Sequence, residues 1–281
     1  MPFSPAIARA LSAAVGSLAA KDRARRLQFR DAGHGYDAFG MHPDFVALAD
    51  ALTSPIYKGY FRVRSYGAEH LPAYGPAIVA ANHSGTLPLD GVMLWSDIIN
   101  HTDPPRNPRA VADYFVSTLP VISTLFARCG VVTGSRGNAR ALLEAGEILM
   151  LFPEGVPGIG KPFSSRYQLQ EWRVGHVELA IRHQAPVVPV GIVGAEEQMP
   201  QLARIPMPRS SPLPYLPVPA TPLPLPVRYH IHYGEPIRFD REFEPHDADD
   251  PELVHQAALR VRDAVQELIR RGLEQREGIF R

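Results

Sequence analysis

The sequence has very little cysteine, since Cys129 is the only one among 281 residues. A single cysteine excludes an intramolecular disulfide and a cysteine-based zinc cluster. It lies in a mostly apolar run, residues 121–132, where a small buried side chain is the expected role. With 45% hydrophobic residues, the chain is long enough to build a sizeable core in one large domain or two.

The sequence also lacks an excess of charge of either sign, because 29 Lys and Arg balance 29 Asp and Glu. A protein with this balance has no overall basic field, so nucleic acid is not an expected partner. Charge that steers a ligand must therefore be local.

A third absence is a long hydrophobic run, because no segment reaches the roughly 18–20 apolar residues of a membrane-spanning helix. The first twenty residues come closest, and a basic cluster at residues 21–26 follows them. A secretory signal carries its positive charge before the apolar run, so export is not expected. For the N-terminal helical segment, residues 1–58, two alternatives stay open: a helix on an anionic membrane surface, or an ordinary docking helix.

From about residue 59 onward, apolar runs alternate with amphipathic segments, which is typical of an α/β domain with a largely parallel sheet flanked by helices. We place this domain at 59–240 and an amphipathic C-terminal helix within 241–281. The predicted strands are 61–66, 77–81, 131–133, 148–152, 187–193 and 227–233. The predicted helices are 44–52, 91–99, 119–129, 138–144, 174–183 and about 250–273.

The stretch 199–227 has proline at every second to fourth residue. Proline lacks the backbone donor that a helix or a central strand requires, so this stretch is predicted to be extended. Covering the core is the favoured role, and contact of its apolar side chains with lipid is the alternative.

A polar cluster, Asn82-His83-Ser84-Gly85, follows the predicted buried strand 77–81. Ligands of open α/β sheets bind at this carboxyl edge of the strands. Histidine has the pKa closest to neutral, so it is suited to take a proton from an alcohol and return it to a leaving group. Asp90, the first carboxylate after this cluster, is able to orient the ring. By chemistry alone, a histidine that caps a turn is an equal alternative.

A second strand ends in Phe152-Pro153-Glu154-Gly155. A lone acid at a strand end is usually solvated. Two such ends in one sheet converge, which favours a functional role for Glu154.

Four blocks together resemble the lysophospholipid and glycerol-phosphate acyltransferase superfamily. They are Asn82-His83 with a following aspartate, Gly130 with Arg136, the 152–155 block, and the apolar strand 187–190 that contains a proline. The resemblance covers roughly residues 60–240 and rests on the order and spacing of these blocks.

The resemblance implies an acyltransferase in which His83 deprotonates a glycerolipid hydroxyl that attacks the thioester of acyl-CoA or acyl carrier protein. Asp90 would orient His83. The implied substrate-binding residues are Asn82, Ser84, Gly85, Arg136, Phe152, Pro153, Glu154, Gly155 and Lys161. No cofactor or metal is implied beyond the thioester co-substrate, and the expected location is peripheral, on the cytoplasmic face of a membrane.

The sequence departs from the family pattern at two places. Six residues separate His83 from Asp90 where the family has four, and Pro88 interrupts them, so we expect a loop to Pro88 and Asp90 in the first turn of a helix. This spacing resembles the branch of monoacylglycerol and diacylglycerol acyltransferases. Val156-Pro157 also replaces the usual Thr-Arg, which favours an acceptor without a phosphate monoester unless Arg136, Lys161 or Arg166 takes that role.

Competing functions leave weaker signals. A lipid esterase would use Ser84, but no Gly-x-Ser-x-Gly elbow surrounds it. His176 and His183 have no third ligand at metal spacing, so surface positions are favoured for both. A non-catalytic lipid-binding protein on the same fold is the main rival. The pair Glu196-Glu197 follows a predicted strand and is a minor candidate for the site.

Overall fold

The computed structural model of the chain describes residues 4–84, 87–208 and 215–281, and of Phe115 only the backbone. Its strands are β1 (Arg64–Tyr66), β2 (Ala77–Ala81), β3 (Arg109–Ala112), β4 (Val132–Thr133), β5 (Ile148–Leu151), β6 (Val187–Val193), β7 (Gln201–Pro206), β8 (Tyr215–Pro219) and β9 (His230–Tyr233). Its α-helices are α1 (Pro5–Val15), α2 (Leu18–Arg26), α3 (Pro43–Pro55), α4 (Leu89–His101), α5 (Tyr114–Ser117), α6 (Ile122–Arg128), α7 (Arg136–Glu144), α8 (Val156–Ile159), α9 (Gly175–Arg182), α10 (Ala195–Gln198) and α11 (Pro251–Gln275).

Within the described ranges the main sheet has seven strands in the order β1-β9-β6-β2-β5-β3-β4. Strands β6, β2, β5, β3 and β4 run parallel to one another. Strand β9 is antiparallel to β6 and parallel to β1, so these two strands run in the opposite direction. The predicted largely parallel α/β sheet is confirmed, with two reversed strands at one side.

The core lies on both faces of this sheet, because its central strands are buried on each side. In β2, Ile78 and Ala80 join the cluster beneath α7, α9 and α11, whereas Val79 and Ala81 join the cluster that contains the apolar face of α4. A strand buried on both faces has a continuous apolar sequence without alternation. This is why β2 and β6 have the bounds predicted from the sequence.

The N-terminal helices α1 and α2 pack against α3. Ala8 is buried in this contact, whereas Ile7, Leu11 and Val15 form an exposed apolar stripe on α1. The helix thus docks on the protein and leaves one apolar side open, so both sequence-based alternatives keep a structural basis. Of the helices that the structure describes, none combines the length and hydropathy needed to cross a bilayer.

Helix α11 is part of the core although its sequence range was separated from the catalytic domain. Asp250 caps it by accepting hydrogen bonds from two backbone amides of its first turn, and Pro251 occupies the first turn, as predicted. Val261, Val265 and Ile269 are fully buried in the cluster that also contains residues of β2 and β6.

Two strand predictions need correction, and one strand was missed. The strand predicted at 61–66 begins only at Arg64, because the amides of Phe61 and Val63 donate to carbonyls of a π-helical turn at Ile56–Tyr60 that extends α3. The strand predicted at 227–233 likewise begins at His230. Strand β3 was not predicted, since Arg109 interrupts its apolar pattern.

The described parts of the proline-rich stretch, 199–208 and 215–227, are largely extended, as predicted, but they are not only a covering loop. Met199 and Leu225, near its two ends, pack on the core. Between these ends β7 and β8 form an antiparallel hairpin, separate from the main sheet, and β7 is exposed beyond Gln201.

Candidate active site

Three neighbouring parallel strands, β6, β2 and β5, end at one edge of the sheet. Strand β2 leads into Asn82 and His83, β5 into Phe152 and Glu154, and β6 into Glu196. The carboxyl edge of a parallel sheet is where α/β proteins place their ligands. The convergence of strand ends that the sequence predicted is therefore present, with a third strand added.

Asn82 links two of these strand ends. Its Nδ2 donates to the carbonyl oxygen of Ile192 (3.0 Å), and its Oδ1 accepts from the amide of Ile192 (2.7 Å). The side chain is fully buried. Its amide thus continues the ladder between β2 and β6, and it holds the start of the His83 loop against the sheet.

His83 and Asp90 form a dyad despite the unusual spacing. Helix α4 starts at Leu89 with Pro88 at its N-cap, so Asp90 lies in the first turn, as expected. The distance from His83 Nδ1 to Asp90 Oδ2 is 2.7 Å. The same oxygen accepts from the amide of Ser84 (2.8 Å), and Asp90 Oδ1 accepts from the amide of Gly91 (2.8 Å). Gly85, expected among the binding residues, lies outside the described residues.

This arrangement fixes the protonation pattern of the ring. An ionised carboxylate only accepts hydrogen bonds, so Nδ1 carries the proton that it donates to Asp90, which leaves the lone pair on Nε2. Among the described residues, His83 Nε2 has no hydrogen-bond partner. The ring of Phe152 stacks on the imidazole with 4.2 Å between centroids and packs against Gly91 at the start of α4. Nε2 is therefore the atom of the dyad available to a substrate.

The carboxylate of Glu154 is committed to the protein. Its Oε1 accepts from the backbone amide of His83 (3.0 Å), and its Oε2 accepts from the backbone amide of Gln170 (2.7 Å). The residue is only 1% exposed. Glu154 was expected to bind the acceptor, and in this structure its Oε1 holds the His83 backbone in place.

Lys161 and Glu196 complete a buried charge cluster with Glu154. Lys161 Nζ lies 3.3 Å from Glu154 Oε2 and 3.2 Å from Glu196 Oε1. Burial raises the pKa of Glu196 to about 7, and the nearby Lys161 opposes that rise. Lys161, expected among the substrate-binding residues, is thus paired with two buried carboxylates, and the minor candidate Glu196 does reach the site.

Gly158, in α8, presses on the same centre. A Cβ atom at this position would lie 2.9 Å from Glu154 Cβ and 3.0 Å from the His83 carbonyl oxygen. Contacts this short with backbone require glycine. Helix α8 can therefore close over the His83 loop only because residue 158 has no side chain.

Arg173 is a candidate that the sequence did not single out. Its amide donates to the Pro153 carbonyl oxygen (3.1 Å), and its guanidinium covers Gly155, 3.3 Å from where a Cβ would stand. Gly155 has φ +57°, a conformation that favours glycine. The Arg173 side chain is exposed and has no hydrogen bond or ion pair with the described residues. Its sequence neighbours give no signal, because only the fold brings residue 173 to 155.

The other arginines proposed for a phosphate have different surroundings. Arg136 is an exposed residue at the start of α7, and its guanidinium pairs with Glu178 of α9 at 3.0 Å. Arg166 stacks over Phe163 with 4.5 Å to the ring centroid. The structure gives neither guanidinium a contact with His83, Asp90 or Glu154.

Other candidates lie away from this edge. A cavity of about 390 Å³ opens beside Tyr233 and Arg271, near the amino end of β6, opposite the carboxyl edge.

Within the described ranges, no group of His, Cys, Asp and Glu has the geometry to hold a metal ion. His176, expected at the surface, is buried, and burial lowers its pKa to about 4.

The chain is similar to known proteins in sequence and in fold. The family profile described as Acyltransferase matches residues 62–193, which include the dyad and Glu154. An uncharacterised protein of Mycobacterium tuberculosis (strain H37Rv) is 38% identical over 258 residues, which are 88% of this chain and 72% of that protein. An uncharacterised protein of Mycobacterium leprae is 37% identical over 255 residues, 87% of this chain and 69% of the relative.

Among solved structures, the chain is similar in fold to the 1-acyl-sn-glycerophosphate (LPA) acyltransferase PlsC from Thermotoga maritima. The TM-score is 0.52 at 18% sequence identity, and the match covers 82% of this chain and 83% of that one.

Proposed function

Because this chain belongs to the superfamily of lysophospholipid and glycerol-phosphate acyltransferases, we propose that it transfers a fatty acyl group from a thioester to a glycerolipid hydroxyl. The donor is acyl-CoA or acyl carrier protein, and the acceptor is mono- or diacylglycerol or a lysophospholipid. The observation that carries this proposal is the 2.7 Å contact between His83 Nδ1 and Asp90, which leaves Nε2 free to act as base.

The reaction needs one proton to move twice. Nε2 of His83 takes the proton of the acceptor hydroxyl as its oxygen attacks the thioester carbonyl. The tetrahedral intermediate then collapses, the carbon–sulfur bond breaks, and the imidazolium returns the proton to the thiolate. Asp90 stabilises the imidazolium in between, as a buried carboxylate does in a catalytic triad. The sequence of steps requires neither a metal nor a covalent acyl-enzyme.

The esterase alternative receives no support from Ser84. Its Oγ is buried and has no hydrogen-bond partner among the described residues, whereas an activated serine is bonded to its base. Its backbone amide, by contrast, donates to Asp90. Ser84 therefore contributes to orienting the dyad through its main chain.

The acceptor class depends on how a phosphate would be bound. The usual Thr-Arg is replaced by Val156-Pro157, which favours a neutral glyceride. Arg173 supplies an exposed guanidinium at Gly155, which would suit a phosphate oxygen. Both acceptor types therefore belong in the test.

We also propose that the protein works as a peripheral protein on the cytoplasmic face of a membrane, because long-chain acceptors reside in the bilayer. Exposed apolar side chains on α1 support this location. Vesicle binding tests it: a protein that stays in solution in the presence of anionic vesicles contradicts the location.

In the decisive assay the labelled acyl donor is acyl-CoA or acylated acyl carrier protein. The acceptors are mono- and diacylglycerol, lysophosphatidic acid and other lysophospholipids, and His83→Ala is the control. Thiol release matched by a new lipid, and lost in the control, supports the proposal. Free fatty acid without acceptor consumption would indicate an esterase. Bound lipid without turnover of either donor would indicate a binding protein.

A further inference from the structure

The hairpin formed by β7 and β8 exposes large apolar side chains. Leu202 is 67% exposed, Ile205 52% and Leu216 49%. Every residue of β7 after Gln201 is exposed, and side chains of successive strand residues alternate between the two faces, so neither face of β7 beyond Gln201 is covered by the described chain. A two-stranded hairpin alone is marginal in water, and a cluster of exposed apolar residues indicates an interaction surface.

The charge of this segment has one sign. From residue 198 to residue 234 the sequence contains three arginines and no Asp or Glu, although acids and bases balance over the whole chain. Arg204 is exposed on β7 and has no ion pair with the described residues. A second copy of the chain would meet this surface with the same charge, whereas anionic lipid would meet it with the opposite charge.

The hairpin is attached to the catalytic edge at both ends of its strand pairing. Gln201 Nε2 donates to the Gly160 carbonyl oxygen (3.0 Å), and the Tyr215 hydroxyl donates to the Val156 carbonyl oxygen (3.2 Å). Both acceptors lie in or directly after α8, where Gly158 presses on His83. Whatever binds the hairpin is therefore held beside the dyad.

We propose that this hairpin docks on an anionic lipid bilayer, with the apolar side chains of Leu202, Ile205 and Leu216 in the interface and Arg204 at the headgroups. The proposal rests on the proposed function, since it gives the acceptor a short path from the bilayer to His83. It assigns the main membrane contact to the hairpin, in the stretch 199–227 for which lipid contact was the alternative from the sequence, and a smaller part to the N-terminal helices.

The test measures co-sedimentation of the purified full chain with phosphatidylcholine vesicles, with and without phosphatidylglycerol. Leu202→Ser/Ile205→Ser should lower the partition coefficient by about tenfold or more on both compositions, since two apolar side chains no longer insert. Arg204→Glu should lower it about tenfold on anionic vesicles and leave it unchanged on phosphatidylcholine. Val15→Ser/Leu18→Ser, which removes two apolar residues of the N-terminal helices that are at least as exposed as the hairpin pair, is the control and should cause a smaller loss.

Circular dichroism and thermal melting show whether each variant is folded. Folded hairpin variants that bind vesicles as the wild type does would overturn the proposal. So would a wild-type protein that ignores anionic vesicles, or a hairpin-dependent dimer in solution with unchanged vesicle binding. Transfer to an acceptor dissolved in detergent is measured separately. If that transfer is absent while hairpin-dependent binding persists, the proposed function fails and the docking surface stands.

Discussion

Replacing Lys161 by methionine tests the buried charge cluster behind His83. In the structure its ammonium lies 3.3 Å from Glu154 and 3.2 Å from Glu196, and all three side chains are almost fully buried. Methionine approximates the volume of lysine and removes the charge. Two buried carboxylates are then left without a cation.

The expected loss is large. Removing one partner of a buried ion pair costs about 3–5 kcal/mol, because the remaining charge stays desolvated. Proteins unfold with a free energy of about 5–15 kcal/mol, so this is a substantial fraction of the total. The loss should be greater at pH 8 than at pH 6. Burial has already raised the pKa of Glu196 to about 7, and without Lys161 this carboxyl is protonated and neutral at the lower pH.

Urea denaturation of a double-mutant cycle separates the pair from its surroundings. Glu196→Gln in the Lys161→Met background removes one unpaired carboxylate, so the double variant should recover about 2 kcal/mol relative to simple addition. Lys161→Arg keeps the charge and serves as the conservative control. If the two single losses add without coupling, Lys161 and Glu196 are not an energetic pair, and Lys161 becomes available for the binding role expected from the sequence.

Three further predictions concern the dyad, the acceptor and pH. Asp90→Asn should lower kcat about 10²- to 10⁴-fold with little change in KM, since His83 loses its orientation. Unchanged steady-state kinetics would contradict a catalytic role for the His83–Asp90 pair. Arg173→Ala should raise KM for lysophosphatidic acid about tenfold or more and leave neutral glycerides unaffected, with Arg166→Ala as matched control; equal effects on both acceptors would exclude a phosphate contact. The pKa of His176 is lowered to about 4 by burial, so its contribution to stability is present above pH ~6.5 and is lost as pH falls through about 4. Comparing wild type with His176→Phe by urea denaturation should reveal a pH-dependent difference of about 3 kcal/mol over this interval, and a difference that is constant with pH would contradict the assignment.

The parts of the fold that were predictable are those determined by local sequence. Strands β2 and β6 are continuous apolar runs, and helix α11 carries its own cap at Asp250 and Pro251. Strand β3 was missed for a non-local reason. It contains Arg109, which is buried because its guanidinium pairs with Asp37, 72 residues earlier, and its Nε donates to the Gly130 carbonyl oxygen. No local pattern reveals such a partner.

The same distinction applies to the candidate site. The positions of His83 after a buried strand and of Asp90 in the first turn of a proline-initiated helix were predictable from local sequence, whereas their pairing was implied by the resemblance to the acyltransferase superfamily. The surroundings of Glu154 were not predictable, since its partners are a backbone amide 71 residues earlier and a lysine that also contacts Glu196. The sequence predicted that Glu154 binds the acceptor, and the structure adds that its two oxygens accept from the backbone amides of His83 and Gln170.

Under the proposed function, we expect different residues to govern catalysis and acceptor recognition. The backbone of His83 is held by Glu154, and its ring by Asp90 and Phe152. We expect specificity to come from groups outside this cluster, and Arg173 and the hairpin are the described candidates. Under the proposed function, changes at Arg173 or the hairpin should alter which lipid is acylated, whereas changes at Asp90 should slow the reaction with every acceptor alike.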